Sequence, residues 1–387
     1  MHKGIYILAI ATFVAGTVEF IITGLLSMIA GDLHVSVGAV GQLVSIFSVV
    51  FAFGAPIFIA LTSKIERKKL LLIALTVFFV GNILSIISPN FTVLLIARII
   101  LAASCSVVIV VSITTAANIV SPEVRGRAIG VIFMGISSSL VFGVPLGTVI
   151  GENFGWRMTF VLVGLLSLLA MLGIYKFLPK VKGQPTIPLI KQIATLKNKR
   201  ILSIQLISFL QLTGHFTIYT YFTPYLMKTM GLSTNMISIV LLVFGMAGIL
   251  GGWLGGWSTD KFGGSKTLVF NLGLLAISIL TLTFAPSSII SLFMIVIIWG
   301  TVSWSISPAI QDSLARVAKD SADIQVGLNN SFSHSGIALG SSLGGILITQ
   351  YAVTMNALVG GIIVIFALLS AIYSFALTNK VNERKLI

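Results

Sequence analysis

The sequence predicts an all-α polytopic membrane protein, with twelve transmembrane helices in two pseudo-symmetric six-helix bundles. Three observations carry this. The 387 residues are 57% hydrophobic and only 9% charged, whereas soluble domains carry about 25% charged residues. Apolar runs of roughly 20 residues or more, the length that crosses a bilayer, recur along the whole chain. The two halves of the chain also repeat one another. A closed β-barrel would instead show alternating segments of about 10 residues.

The expected spans are 5–30, 40–62, 70–88, 92–117, 128–151, 157–178, 201–226, 236–257, 267–285, 288–311, 325–350 and 354–377. The first is too long and too polar at its centre for a cleavable leader, because it carries Glu19, and it is read as the first span of the mature protein. The domains expected are an N-terminal bundle over 1–178, a cytoplasmic linker over 179–200 and a C-terminal bundle over 201–387.

Lysine and arginine set the expected orientation. Lys64, Arg67, Lys68 and Lys69 follow the second span, and Arg125 and Arg127 the fourth. Lys176, Lys180, Lys182, Lys191, Lys197, Lys199 and Arg200 mark the middle connection. Lys261 and Lys266 follow the eighth span, Arg316 and Lys319 the tenth, and Lys380, Arg384 and Lys385 end the chain. The opposite loops hold little beyond Arg157 and Lys228. Both termini are therefore expected in the cytoplasm. This loop pattern also accounts for the net charge of +14 without a nucleic-acid partner. Pro179, Pro185 and Pro188 among the lysines mark the middle loop as a solvated tether.

Ala60 to Lys69 after the second span corresponds to Gly256 to Lys266 after the eighth, so Lys64 pairs with Asp260 at an offset of 260 − 64 = 196. The same offset carries Glu19 onto His215. Gly147 falls within one residue of Gly344. Parallel repeats of this kind place a substrate site near the membrane midplane, between the halves.

Glu19 is the one acid well inside a span. A charge at that depth costs roughly 2.5–3.5 kcal/mol on insertion scales, so a plain anchor would not carry it. It lies about 14 residues, or roughly 21 Å, into its helix from the cytoplasm. Arg98 enters the fourth span from outside and reaches roughly the same level of a core about 30 Å thick. A Glu19–Arg98 pair is expected, which offsets the cost of burying each. Proton coupling needs a group whose charge changes as access switches, and Glu19 answers that description; a purely structural salt bridge is the alternative. His215 and His334 are the other buried titratable candidates, as proton relays, as donors to substrate, or simply as satisfied polar residues. They lie on different spans without an acid or cysteine at ligand spacing, so no metal site is expected. The single cysteine, Cys105, reads as a small packing residue.

Phe216, Tyr219, Trp299, Trp304, Asn329 and Asn330 are the substrate-binding candidates. Aromatic faces stack on planar solutes, and amides bond the edges of a purine. The competing readings are interfacial aromatics and helix-packing asparagines. Glycines and small residues over 135–151 and 336–345 suit close helix contacts. No phosphate loop is present in the sequence, which argues against ATP hydrolysis.

Gly256-Trp-Ser-Thr-Asp260-Lys261-Phe-Gly263 resembles the Gly-x-x-x-Asp-(Arg/Lys)-x-Gly loop of the major facilitator superfamily. Its glycines favour close helix approach, and its acid and base latch helix ends. The first-half copy, Ala60 to Lys69, lacks the glycine and the aspartate, which leaves Glu66 as the substitute acid of its latch. Arg98 matches the family's fourth-span arginine. Gly143-Val-Pro145-Leu-Gly147 resembles, in reduced form, the Gly-Pro-Gly pattern of its drug–proton antiporters. Gly16 to Glu19, Glu66 to Lys69, Ile132 to Gly135, Gly214 to Tyr219 and Ile298 to Gly300, with Ser303 to Ser305, resemble the bacterial purine-base and nucleoside efflux pumps of that branch.

The resemblance implies the major facilitator fold in the bacterial plasma membrane. It implies proton-driven export of purine bases and nucleosides, or else a broader drug or sugar exporter. The expected partners are a small-molecule substrate, protons and the lipid bilayer; no cofactor is expected, and the chain is expected to be monomeric. A membrane-embedded enzyme would want a nucleophile–base set or a metal cluster, and a sensor a sizeable soluble domain; neither pattern is present in the sequence.

Overall fold

The computed structural model describes residues 2–121, 124–183, 189–318 and 321–383, without the side chains of 322, 323 and 376–383. Pro185, Pro188, Lys319, Arg384 and Lys385 lie outside the described residues, as does the side chain of Lys380.

The described chain is helical from end to end: α1 (Lys3–Asp32), α2 (Val37–Leu61), α3 (Arg67–Ile87), α4 (Phe91–Asn118), α5 (Arg125–Ser138), α6 (Val144–Phe154), α7 (Trp156–Phe177), α8 (Leu189–Ala194), α9 (Lys199–Tyr219), α10 (Phe222–Met230), α11 (Thr234–Phe262), α12 (Gly264–Thr281), α13 (Ile289–Val317), α14 (Ala322–Gln350) and α15 (Met355–Glu383). Among the described residues, 11 helical stretches are long and apolar enough to cross a membrane. The remaining expected span, 325–350, is α14. Its 29 residues are ample in length, but Gln325, Asn329, Asn330, His334 and several serines lower its hydropathy.

The chain divides into two compact units, one of residues 1–187 with 232–242, the other of 188–231 with 243–387. In the first unit α1 is the central element and packs on α2, α4, α5, α6 and α7. In the second, α9 packs on α14 and α15.

Two expected spans carry a discontinuity. The fifth is α5 and α6 joined by a wider π turn at Ser139–Gly143. Here the chain is threaded against α1: a side chain at Gly143 would strike Thr17, one at Gly147 would strike Ile21, and one at Gly16 would strike Ser139. The seventh span breaks at Thr220 and Tyr221 between α9 and α10. The break frees the Thr217 carbonyl, which water cannot satisfy in a membrane, and side chains cap it and tie the break to α14. Asn356 Nδ2 donates to Thr217 O at 3.0 Å and Gly344 O at 3.1 Å, and the Tyr221 hydroxyl donates to Ser341 O at 2.8 Å.

The same helix contact occurs in both units. Gly143 meets Thr17 and Gly147 meets Ile21 in the first; Gly340 meets the Thr213 carbonyl and Gly344 the Thr217 carbonyl in the second. The glycines differ by 340 − 143 = 197 and 344 − 147 = 197, and their partners by 213 − 17 = 196 and 217 − 21 = 196. The repeat read from the sequence is therefore a repeat of packing, with α1 and α9 as equivalent helices.

The loop glycines work differently from the sequence reading. Gly256 faces open space, whereas α11 approaches α13 at Gly248, Gly251 and Gly255, where a Cβ would meet Trp304 and the backbone of Thr301 and Ser305. A one-residue step turns a helix by about 100°, so Gly255 rather than Gly256 carries the contact. Gly263 is needed for its φ of 84° before α12. Asp260 and Lys261 are exposed. Lys261 lies over the Trp257 ring, 4.9 Å from its centroid. The ion pair at this end of the unit is instead Asp312–Arg316, at 2.8 Å. Nor does Glu66 replace the missing acid, since among the described residues it joins no ion pair. The α2–α3 turn is held by main chain: Arg67 N donates to Val181 O at 2.9 Å, and Gly183 lies so close to the Ser63 and Ile65 carbonyls that a side chain there would overlap them.

Candidate functional site

Two buried polar clusters occupy equivalent helices, one in each unit. In the first, Arg98 is fully buried and Glu19 is 7% exposed. Both are buried, and Arg98 reaches α1 at the level of Glu19, where its guanidinium meets the Glu19 main chain. The hydrogen bonds of the guanidinium go to main-chain carbonyls. Nη1 donates to Val18 O at 2.6 Å, Nη2 to Glu19 O at 3.4 Å and Nε to Leu43 O at 3.5 Å. The guanidinium also lies over the Phe47 ring, 4.3 Å from its centroid. Helical carbonyls keep a second lone pair after accepting their own N–H, which is how an apolar bundle hydrates a cation without water. The Glu19 carboxyl is near enough for the two charges to attract. Cys105 is buried beside them, with its Sγ 3.7 Å from Ala15 O.

The second cluster centres on His215. Its Nδ1 receives the Trp299 indole N–H at 3.1 Å and lies 3.1 Å from the Ser303 hydroxyl. An indole N–H can only donate, so Nδ1 is the acceptor and the neutral ring carries its proton on Nε2. No hydrogen bond among the described residues reaches Nε2. Aromatic rings wall the imidazole, with centroids at 5.1 Å for Phe216, 5.2 Å for Tyr219, 5.3 Å for Trp299 and 6.0 Å for Phe244. Three of the aromatic residues singled out in the sequence thus converge on one histidine. Trp299 is fully buried, and it orients His215 from within the wall.

The other candidates sit elsewhere in the second unit. Trp304 is half-buried and lies against Gly248. Asn330 is half-buried. Asn329 belongs to an amide network: its Nδ2 donates to Gln205 Oε1 at 2.8 Å and Ser208 Oγ at 2.7 Å, and its Oδ1 accepts from Gln311 Nε2 at 3.3 Å. Gln205 Nε2 in turn donates to Gln325 Oε1 at 3.3 Å. His334 is buried on α14. Phe244, Gln205 and Gln211 carry no signal in the sequence that marks them as site residues, apart from the position of Gln211. Gln211 lies one helical turn before His215 on the same face of α9.

Two repeated helical units, each with an ionisable side chain buried at the equivalent register, have the build of a membrane transporter. The chain belongs to the Major Facilitator Superfamily, whose pattern it matches over residues 8–341. It is 37% identical over 371 residues to the uncharacterized MFS-type transporter YbcL of Bacillus subtilis (strain 168), covering 96% of this chain and 95% of that protein. It is 31% identical over 367 residues to the uncharacterized MFS-type transporter YtbD of the same strain, covering 94% and 92%. Among solved structures, the fold resembles a bacterial homologue of the human lysosomal transporter Spinster, in an inward-facing and occupied conformation, with TM-score 0.77 and 16% identity over 96% of each chain. It also resembles the peptide transporter POT in complex with sulfate, with TM-score 0.78 and 13% identity over 98% of this chain and 95% of that one. At such identities the likeness is one of fold alone. The protein is thus a multi-pass membrane transporter with the major facilitator fold.

Proposed function

We propose that this transporter is a proton-coupled antiporter that exports small planar or hydrophobic solutes by alternating access, with purine bases and nucleosides as its favoured substrates. It acts as a monomer in the bacterial plasma membrane with both termini in the cytoplasm, and the proton gradient supplies the energy without a cofactor. Glu19 carries the proton, Arg98 is its partner, and His215 and His334 serve as relay or substrate contacts.

The observation that carries this reading is the burial of Glu19 beside an Arg98 of α4 that is held by main-chain carbonyls of α1, the helix that carries Glu19. Burial favours the neutral acid, while a nearby cation favours the carboxylate. A helix movement that changes the separation of the two side chains therefore loads a proton in one state and releases it in the other. The aromatic walls around His215 support a planar solute, and the resemblance to purine efflux pumps supports the substrate class.

The test is uptake of radiolabelled hypoxanthine or adenosine into inside-out vesicles under an acid-inside gradient. Wild type is expected to accumulate the label. Glu19→Gln is expected to lose gradient-driven accumulation and keep solute exchange. Unchanged accumulation in a well-expressed Glu19→Gln would remove Glu19 as the carrier. Drug movement without purine movement in wild type would replace the substrate class.

A further inference from the structure

Gln211 is 4% exposed on α9, and its Nε2 is buried without a hydrogen-bond partner. An orphan amide donor at a buried position is unfavourable, and natural structures hold few of them. Its neighbours on the same face are settled: Ser208, one turn before, accepts from Asn329 at 2.7 Å, and His215, one turn after, is held through Nδ1 by Trp299 at 3.1 Å. Between those satisfied positions α9 holds two neutral N–H donors that no described residue accepts, Gln211 Nε2 and His215 Nε2. Positions four apart on a helix project from one face, separated by about 6 Å along the axis.

The walls limit what these donors recognise. Among the described residues of the second unit, no Asp, Glu, Lys or Arg side chain is buried. A charged solute bound there would gain no counter-charge for its lost hydration. Phe216 and Tyr219 are buried beside His215, with ring centroids at 5.1 and 5.2 Å. They line the imidazole with flat apolar rings, the chemistry that stacks on a planar solute.

We infer that Gln211 and His215 form a two-donor recognition site for a neutral, planar heterocycle that presents two hydrogen-bond acceptors within about one helical turn of each other. The inference rests on the proposed transport of planar solutes and names the groups that select them. It makes Gln211 a specificity-determining residue, and the unsatisfied amide is the feature that the solute completes.

The test is equilibrium binding of tritiated hypoxanthine to the purified full-length protein in detergent, with no proton gradient. Single-nitrogen deaza analogues and tetraphenylphosphonium are run in parallel. Gln211→Met keeps length and removes the amide. It should weaken hypoxanthine about 3- to 10-fold, the effect of one neutral hydrogen bond, while leaving unchanged the affinity of the deaza analogue that lacks the matching acceptor. The ligand-free variant should unfold at the wild-type temperature or higher, because an unsatisfied donor has been removed; a structural role would lower it. Should Gln211→Met fail to fold, the near-isosteric Gln211→Glu, which exchanges donor for acceptor, should weaken hypoxanthine at least as much. Unchanged hypoxanthine affinity in these variants overturns the inference and leaves proton-coupled transport standing. Wild-type binding of tetraphenylphosphonium but no neutral heterocycle overturns it together with the purine assignment. The expected binding pattern without gradient-driven movement in vesicles sustains the inference and removes proton coupling.

Discussion

The indole N–H of Trp299 donates to Nδ1 of His215 at 3.1 Å, and this one bond decides which imidazole nitrogen carries the proton. Trp299→Phe keeps most of the ring packing and deletes the donor. The expected loss of stability is about 0.5–1.5 kcal/mol. Nitrogen-15 spectra of labelled histidine should show one buried histidine in the Nε2–H form in wild type and a tautomer mixture in Trp299→Phe. An unchanged spectrum would show that Trp299 does not hold the ring.

Arg98 is tied to three carbonyls and stacked on Phe47. A lysine keeps the charge but has neither the planar fork nor the stacking face. Arg98→Lys is expected to lose about 2 kcal/mol or more, in line with hydrogen bonds to charged groups, read as a lower unfolding temperature in detergent. Arg98→Met removes the charge beside Glu19, and gradient-driven accumulation in vesicles should fall to background. Retained accumulation would separate Arg98 from coupling.

Gly340 and Gly256 make a matched pair of tests. A Cβ at Gly340 would overlap the Thr213 carbonyl, whereas one at Gly256 meets nothing within 4 Å. Gly340→Ala should destabilise by about 1–3 kcal/mol through overpacking. Gly256→Ala should be neutral or up to about 1 kcal/mol stabilising, from helix propensity alone. Thermal unfolding of the two proteins side by side decides it, and equal losses would contradict the assigned packing.

Gly183 is pressed against the Ser63 and Ile65 carbonyls. Gly183→Val should displace the segment that accepts the Arg67 N–H at Val181. Limited proteolysis of intact vesicles or detergent-purified protein should then cut the 179–200 connection faster than in wild type, with little change in the unfolding temperature. An unchanged cleavage rate would show that this docking has no hold on the linker.

Much of the candidate site was legible because membrane insertion makes polar residues conspicuous. Glu19 and Arg98 stand out in apolar runs, and counting residues along rigid helices brought them to one level. The 196-residue offset found His215, and the paired contacts Gly143–Thr17 and Gly340–Thr213 give that offset its physical meaning. What failed was local. The motif glycine at 256 was expected in the contact, which falls on Gly255, because helix phase near a boundary is not fixed by a motif. Glu66 was expected to replace a lost acid, and main chain from the linker performs the holding instead.

The sequence by itself determined the class, the number and length of most helices, the repeat, and which ionisable groups must be buried, because hydropathy and periodicity are properties of the chain. Only the tertiary structure decided the partners. It shows that Arg98 bonds carbonyls of α1, that Trp299 sets the tautomer of His215, that Asn356 closes the break between α9 and α10, and that Gln211 is left with an unused donor. Hydrogen bonds are directional and reach about 3 Å, so their partners depend on the rotation and spacing of packed helices, which no single segment encodes.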